Sequence, residues 1–204
     1  MTQTPGDGRG RILQAARTMF LERGYADVSM QQIASAAGVT KATLYHHFRD
    51  KEDLFIEVVR IEHDSMGQMV LDLIAGAETL EEQLQRIARG VFDVGKGDFG
   101  RLAEDLRQHV SPERAQQLQE HMHAPMATGP ENVLRDLFVQ AMERGEIERL
   151  NPTVPFTAFF SMLIGMSRFS EHAAGFGTFT EEDIAMIPKI LLYGIATKDR
   201  GVRP

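Results

Sequence analysis

Two helix starts in close succession, with a glycine between them, constrain this chain more than any other feature. In the stretch Val28–Phe48, Ser29 and Gln32 form a capping box of the type S-x-x-Q. The serine side chain can accept from the backbone of the first turn while the glutamine reaches back to the serine N–H. Val28 and Ile33 flank that cap at the positions of a hydrophobic staple, so a short helix is predicted to begin after Ser29. Thr40 caps a second short helix, with Val39 and Leu44 as its staple pair. Gly38 lies between the two and can take the positive φ of a tight interhelical turn. Two short capped helices joined in this way make a helix-turn-helix unit. Ala34 and Ala37 are small enough for the helices to cross closely, and Ile33, Val39 and Leu44 fill the wedge between them.

The flanking sequence is helical as well. Ile12, Ala15, Ala16, Met19 and Phe20 form the apolar stripe of a helix over about Gly8–Arg23, and Gly24 supplies a left-handed stop. Asp50 is placed to cap a long fourth helix reaching about Leu73, with Asp53 in its acid-favoured first turn. Further helices are predicted near Leu80–Val94, Phe99–Val110, Pro112–His123, Glu131–Glu143, Pro152–Glu171 and Glu181–Lys198. Pro112 and Pro152 suit first-turn positions, and Thr180 and Asp183 cap the last helix with Phe179 and Ile184 as staple. Pro188 falls inside that helix and removes one backbone bond. No sustained period-2 alternation appears anywhere. The expected fold is all-α: an N-terminal three-helix helix-turn-helix domain plus a larger C-terminal helical domain, about nine or ten helices in total. The expected division is a flexible tail over 1–10, the helix-turn-helix domain over 11–53, and the second domain over 54–204.

Several classes of function are disfavoured. The chain of 204 residues has no cysteine, hence no disulfide framework, thiolate metal site or cysteine nucleophile. That suits a reducing, cytoplasmic setting. The opening MTQTPGDGRG has no apolar core and reads as a frayed tail rather than a signal peptide. The apolar run Val154–Met166 is too short to span a membrane and is interrupted by Thr157 and Ser161. No nucleophile elbow, phosphate loop or metal-binding helix motif appears, which argues against an enzyme. The net charge of −7 is unevenly spread. Over residues 1–49, Arg9, Arg11, Arg17, Arg23, Lys41 and Arg49 outnumber Asp7, Glu22 and Asp27, so the remainder carries the acidic excess. A mildly basic head on an acidic body suits contact with a polyanion through the head alone.

Arg11–Val59 resembles the DNA-binding domain of the tetracycline-repressor (TetR) family. The resemblance rests on ILQAARTMFLERGYADVSMQQIASAAGVTKATLYHHFRDKEDLF, within which GVTKATLYHHF fits the pattern G-V-[ST]-x-x-x-L-Y-x-[HY]-F and KEDL fits K-[ED]-x-L. It covers about a quarter of the chain. The resemblance implies a homodimer that binds a palindromic DNA operator, represses nearby genes, and is released by a small, largely apolar effector bound in the larger domain.

In a helix-turn-helix the second helix enters the major groove by its N-terminal end. Here Lys41 can donate to guanine O6 and N7, and Ala42 can meet a thymine methyl. Thr40 and Thr43 can serve phosphates or bases. Tyr45, His46 and His47 match family positions that contact phosphates or base edges, and Lys51 matches a phosphate-binding position at a helix N-terminus. Ser29 can touch phosphate as well as cap. Structural roles stay open for several of these: Thr40 is useful as a cap without DNA, and Tyr45, His46 and His47 can be packing residues.

The second domain is rich in Met and Phe, which can line an apolar pocket or simply fill a core. The family places its pocket among helices four to seven, which favours Met66, Phe92, Phe99, Leu102, Met122 and Phe138. The helix over Pro152–Glu171 is apolar nearly all round and calls for cover on both sides. Phe159, Met162, Leu163 and Met166 from it, with Ile187, Leu191 and Ile195 from the last helix, are the expected dimer interface, two helices from each subunit. His109, His121 and His123 lie near Glu104, Asp105 and Glu120, but the i, i+2 spacing of His121 and His123 points them apart. They read as surface or pocket histidines, and neither metal nor cofactor is expected. A regulator without an effector, or an activator, stays open on sequence.

Overall fold

The computed structural model describes residues 8–94, 98–122, 124, 128–172 and 179–193, with side chains except at 92–94, 98–99 and 167–172. Among the described residues there are ten helices and no strand. They are α1 (Gly8–Arg23), α2 (Met30–Ala36), α3 (Lys41–His47), α4 (Lys51–Ile74), α5 (Leu80–Val94), α6 (Asp98–His109), α7 (Pro112–Met122), α8 (Pro130–Glu143), α9 (Thr153–His172) and α10 (Glu181–Tyr193). The all-α expectation is met. The predicted end of the last helix beyond 193 lies outside the described residues.

The local signals act as their chemistry requires. Ser29 accepts from the Gln32 N–H while Gln32 Oε1 accepts from the Ser29 N–H at 2.8 Å, so the capping box is closed on both sides. Thr40 accepts from the Thr43 N–H at 3.1 Å. Gly38 takes φ +62°, and the Val39 N–H bonds the Ala34 carbonyl at 3.0 Å, which closes the turn between α2 and α3. Asp50 Oδ1 accepts from the Asp53 N–H at 2.7 Å and caps α4. Thr180 and Asp183 make the same reciprocal cap at the start of α10.

The chain forms two compact units: residues 1–66 with 97–129, and residues 67–96 with 130–204. The first is built around Ile12, Ala16 and Phe20 of α1, Ile33 of α2, Leu44 of α3, and Leu54, Phe55, Val58 and Val59 of α4. Leu102 of α6, Val110 just beyond that helix, and Leu118 of α7 complete the same core. The second core gathers Val70 from the end of α4, Leu80, Leu84 and Ile87 of α5, Leu134, Leu137 and Phe138 of α8, Phe159 and Leu163 of α9, and Ile184 and Ile187 of α10. This division differs from the expected break after residue 53. The apolar stripes of α6 and α7 show that each helix has a buried face, but periodicity does not name the partner that covers it. Here α6 and α7 are covered by α1–α4.

Candidate nucleic-acid interface

Leu44 anchors α3 by pointing inward, fully buried, and Phe48 just beyond the helix is buried as well. That leaves Lys41, Ala42, Tyr45, His46 and His47 exposed, with Thr43 half-buried. Lys41, Ala42, Tyr45 and His46 have the i, i+1, i+4, i+5 spacing of one helical face. The Lys41 ammonium lies 5.8 Å from the centre of the Tyr45 ring, and the His46 and His47 rings stand 5.3 Å apart, edge to face. The hydroxyls of Thr40 and Thr43 are 2.8 Å apart, each with hydrogen-bonding capacity to spare. A cation at the N-terminal end and rings in the last turn are thus presented on a short helix that stands on a buried leucine. Side chains of these types can serve phosphate and base-edge contacts.

Ser29 is exposed but engaged by Gln32 through both its N–H and its hydroxyl, so capping is its primary role. Lys51 is more constrained than its motif position implies. Its ammonium sits 4.1 Å over the Tyr25 ring and reaches the Ala26 carbonyl at 3.5 Å. Partial burial lowers its pKa from the usual lysine value, against the opposing pull of Asp105 and Asp27.

Four further residues around this interface, Arg9, Arg101, Asp105 and Arg114, make contacts that have no signature in the sequence. Arg9 lies 5.5 Å from the centre of the Phe48 ring and pairs with Glu57. Arg101 donates to the Glu22 carbonyl at 2.9 Å, and Asp105 accepts from the Tyr25 N–H at 2.8 Å. Arg114 forms a two-pronged pair with Asp50, both bonds at 2.9 Å. The Arg114 guanidinium holds the Asp50 carboxyl at a pKa of about 2, below its ordinary 3.8. Stability from this pair is therefore present above the ordinary value and lost as pH falls from about 4 toward 2. In acid titrations followed by circular dichroism, the advantage of the unaltered protein over Asp50→Asn should shrink across that window. An advantage that stays constant would contradict the pairing.

Several expected residues lie elsewhere. Leu102 is fully buried in the first core and Phe138 fully buried in the second. Met122 packs partly buried against the first core, Met66 is half-buried, and the side chains of Phe92 and Phe99 lie outside the described residues. Two open clefts, about 620 and 360 Å³, run along α1 and α2 and touch none of the six. Phe159, Leu163 and Ile187, expected at a dimer surface, are instead fully buried within the second unit. An all-apolar helix does not reveal which side faces its own core, and on α9 the burial of Phe159 and Leu163 does. Met162, Met166 and Leu191 are partly buried against that core, and Ile195 lies outside the described residues. The exposed apolar residues nearby are Val154 on α9 and Met186, Ile190 and Tyr193 on α10. His109 stacks on Tyr25 with centroids 5.2 Å apart, and His123 lies outside the described residues. No helix among the described residues is long and apolar enough to cross a membrane.

The family profile described as "Bacterial regulatory proteins, tetR family" matches residues 12–58. The chain is 37% identical over 70 residues to the HTH-type transcriptional regulator AcrR of Shigella flexneri, a match covering 34% of this chain and 33% of that protein. It is 33% identical over 85 residues to the HTH-type transcriptional repressor KstR2 of Mycobacterium tuberculosis, covering 42% of each. These matches span well under half the length of either relative. The fold is similar along nearly the whole chain to the crystal structure of the transcriptional regulator FadR from Bacillus subtilis in complex with stearoyl-CoA. There the TM-score is 0.68 at 23% identity, covering 92% of this chain and 100% of that one.

Proposed function

We propose that this chain, whose residues 12–58 match the profile of the tetR family of bacterial regulatory proteins, is a member of that family and a sequence-specific DNA-binding repressor, released from a palindromic operator by a small molecule. The observation that carries the reading is the exposed face of α3. Lys41 and Ala42 stand at the groove-entering end, Tyr45 and His46 follow one turn later, and Leu44 fixes the helix from behind. Lys41 reads a base edge, with Ala42 free to meet a thymine methyl. Thr40, Thr43, Tyr45, His46, His47, Lys51 and Ser29 serve phosphates or neighbouring base edges, which position the helix. The test is selection from a random DNA pool with purified protein. A palindromic site should emerge, and recovery of unrelated sequences would overturn the reading.

A palindrome calls for a two-fold dimer. Met186, Ile190 and Tyr193 support one, because they fall at i, i+4 and i+7 on α10 and are 47%, 38% and 70% exposed. Ile190→Glu should shift the protein from dimer to monomer in sedimentation at micromolar concentration while leaving its helicity intact. An unshifted dimer would remove this stripe from the interface.

Release follows from linkage. A molecule that binds the DNA-competent state less tightly than another state of the protein shifts the population away from DNA. Screening for release from the selected operator identifies the effector. Because the FadR of similar fold was crystallised with stearoyl-CoA, a long-chain acyl-CoA is a rational first compound. A panel with no releasing compound would favour a regulator without an effector.

A further inference from the structure

The start of α4 is gripped from both sides. On one side, the Lys51 ammonium lies over Tyr25 and reaches the Ala26 carbonyl, in the segment leading to α2. On the other side stands the start of α7. Ser111 donates to Glu52 Oε1 through its N–H at 2.9 Å and its hydroxyl at 2.6 Å. Arg114, in the first turn of α7, straddles Asp50 with two bonds of 2.9 Å and lies 3.4 Å from Glu52 Oε2. Asp50 has a second task, since the oxygen that takes one prong of Arg114 also caps α4 by accepting the Asp53 N–H. Phe48, the C-cap of α3, is separated from Asp50 by Arg49 alone and is itself buried. A single residue therefore links the end of α3 to the carboxylate that Arg114 holds.

The pair is poorly placed to act mainly as a stabiliser. The Arg114 side chain is 26% exposed and that of Asp50 48% exposed, and water at that level screens most of an ion pair's worth. What the fork–fork geometry supplies is direction, because two parallel bonds fix the angle between partners as well as their distance. We infer that Arg114 is a positioning residue for DNA reading: through Asp50 it holds the start of α4, and with it the end of α3, at the angle from which α3 enters the groove. This rests on the DNA-reading role proposed above. It adds that a residue far along the chain, in a helix that presents nothing to the groove, sets how tightly a chosen sequence is held.

The test uses the full chain and the operator selected by the unaltered protein. Arg114→Ala should bind that operator about tenfold more weakly, within the range for coupling between separate sites. Its thermal midpoint and its affinity for unrelated DNA should change little. The dependence of operator affinity on salt should keep its slope, because no phosphate contact is lost. Arg114→Lys keeps the charge without the fork and should fall between the two. Asp50→Asn keeps a competent cap and should weaken binding as Arg114→Ala does, with the double variant no weaker than either single one. Operator binding unchanged in Arg114→Ala would overturn the inference and leave the DNA-reading role standing. A salt slope reduced by about one would also overturn it, since Arg114 would then touch phosphate directly. If Arg114→Ala and Asp50→Asn both lose helicity, the pair is structural and the inference fails. If the unaltered protein selects no operator, the DNA-reading role falls and this inference falls with it.

Discussion

Phe55→Ala should lower the unfolding free energy by about 3–5 kcal/mol, the usual cost of removing a fully buried phenylalanine. Phe55 is 0% exposed and sits at the centre of an aromatic trio in the first unit. Its ring meets Phe20 at 5.1 Å and Tyr25 at 4.9 Å, both edge to face. Deleting it removes buried apolar area, two oriented ring contacts and the support beneath Tyr25. Tyr25 in turn carries the Lys51 ammonium on its ring and accepts the stacked His109. A small domain has only about 5–15 kcal/mol of net stability, so the loss would be a large share of the total. Phe55→Leu keeps most of the volume and should cost about 1.5 kcal/mol or less. Denaturant titration of the three proteins measures the difference. A loss below about 1 kcal/mol for Phe55→Ala would mean that the cavity collapses and the trio is not the keystone of the first core.

Much of that unit could be read from the chain because its signals are local. The Ser29–Gln32 box, the Thr40 cap, the Gly38 turn and the Ile12-to-Phe20 stripe each lie within a few residues of what they specify. The bounds of α1 and α5 match the expected ones for the same reason. What was not legible depends on partners distant in sequence. Nothing in Asp50 announces Arg114, and nothing in the stripes of α6 and α7 says that α1–α4 cover them. On α9 the apolar residues run nearly all round, so Phe159 and Leu163 could be assigned to a dimer face when they belong to the core. Lys51 matched a motif position, yet its exposure depends on Tyr25, which lies in another helix-linking segment. Nor does the sequence show that a Cβ at Gly129 would run into the ring of the buried His63, so that the site excludes a side chain. Met and Phe fill cores and line pockets alike, so their abundance does not separate the two.

Lys41→Ala should weaken binding to the selected operator by about 1–3 kcal/mol, roughly a fivefold to 150-fold loss, and relax the preference at one base pair. Lys41 is the first residue of α3 and fully at the surface, so its removal leaves the core and the Thr40 cap in place. A fall in affinity can then be assigned to the interface. The nature of the loss separates two roles. A base contact discriminates between sequences, so the penalty should vanish on DNA altered at the contacted pair. A phosphate contact does not discriminate, so its loss should weaken all sequences alike and lower the salt slope by about one. Lys51→Ala provides the comparison, with expected behaviour of the second kind. Its ammonium leans on Tyr25 and the Ala26 carbonyl, too far committed to follow a base edge but still able to meet a phosphate. If Lys41→Ala reproduces the Lys51→Ala pattern, specificity must come from elsewhere on the same face, with Tyr45 and His46 the next residues to vary. If Lys41→Ala binds every sequence as the unaltered protein does, Lys41 has no part in recognition.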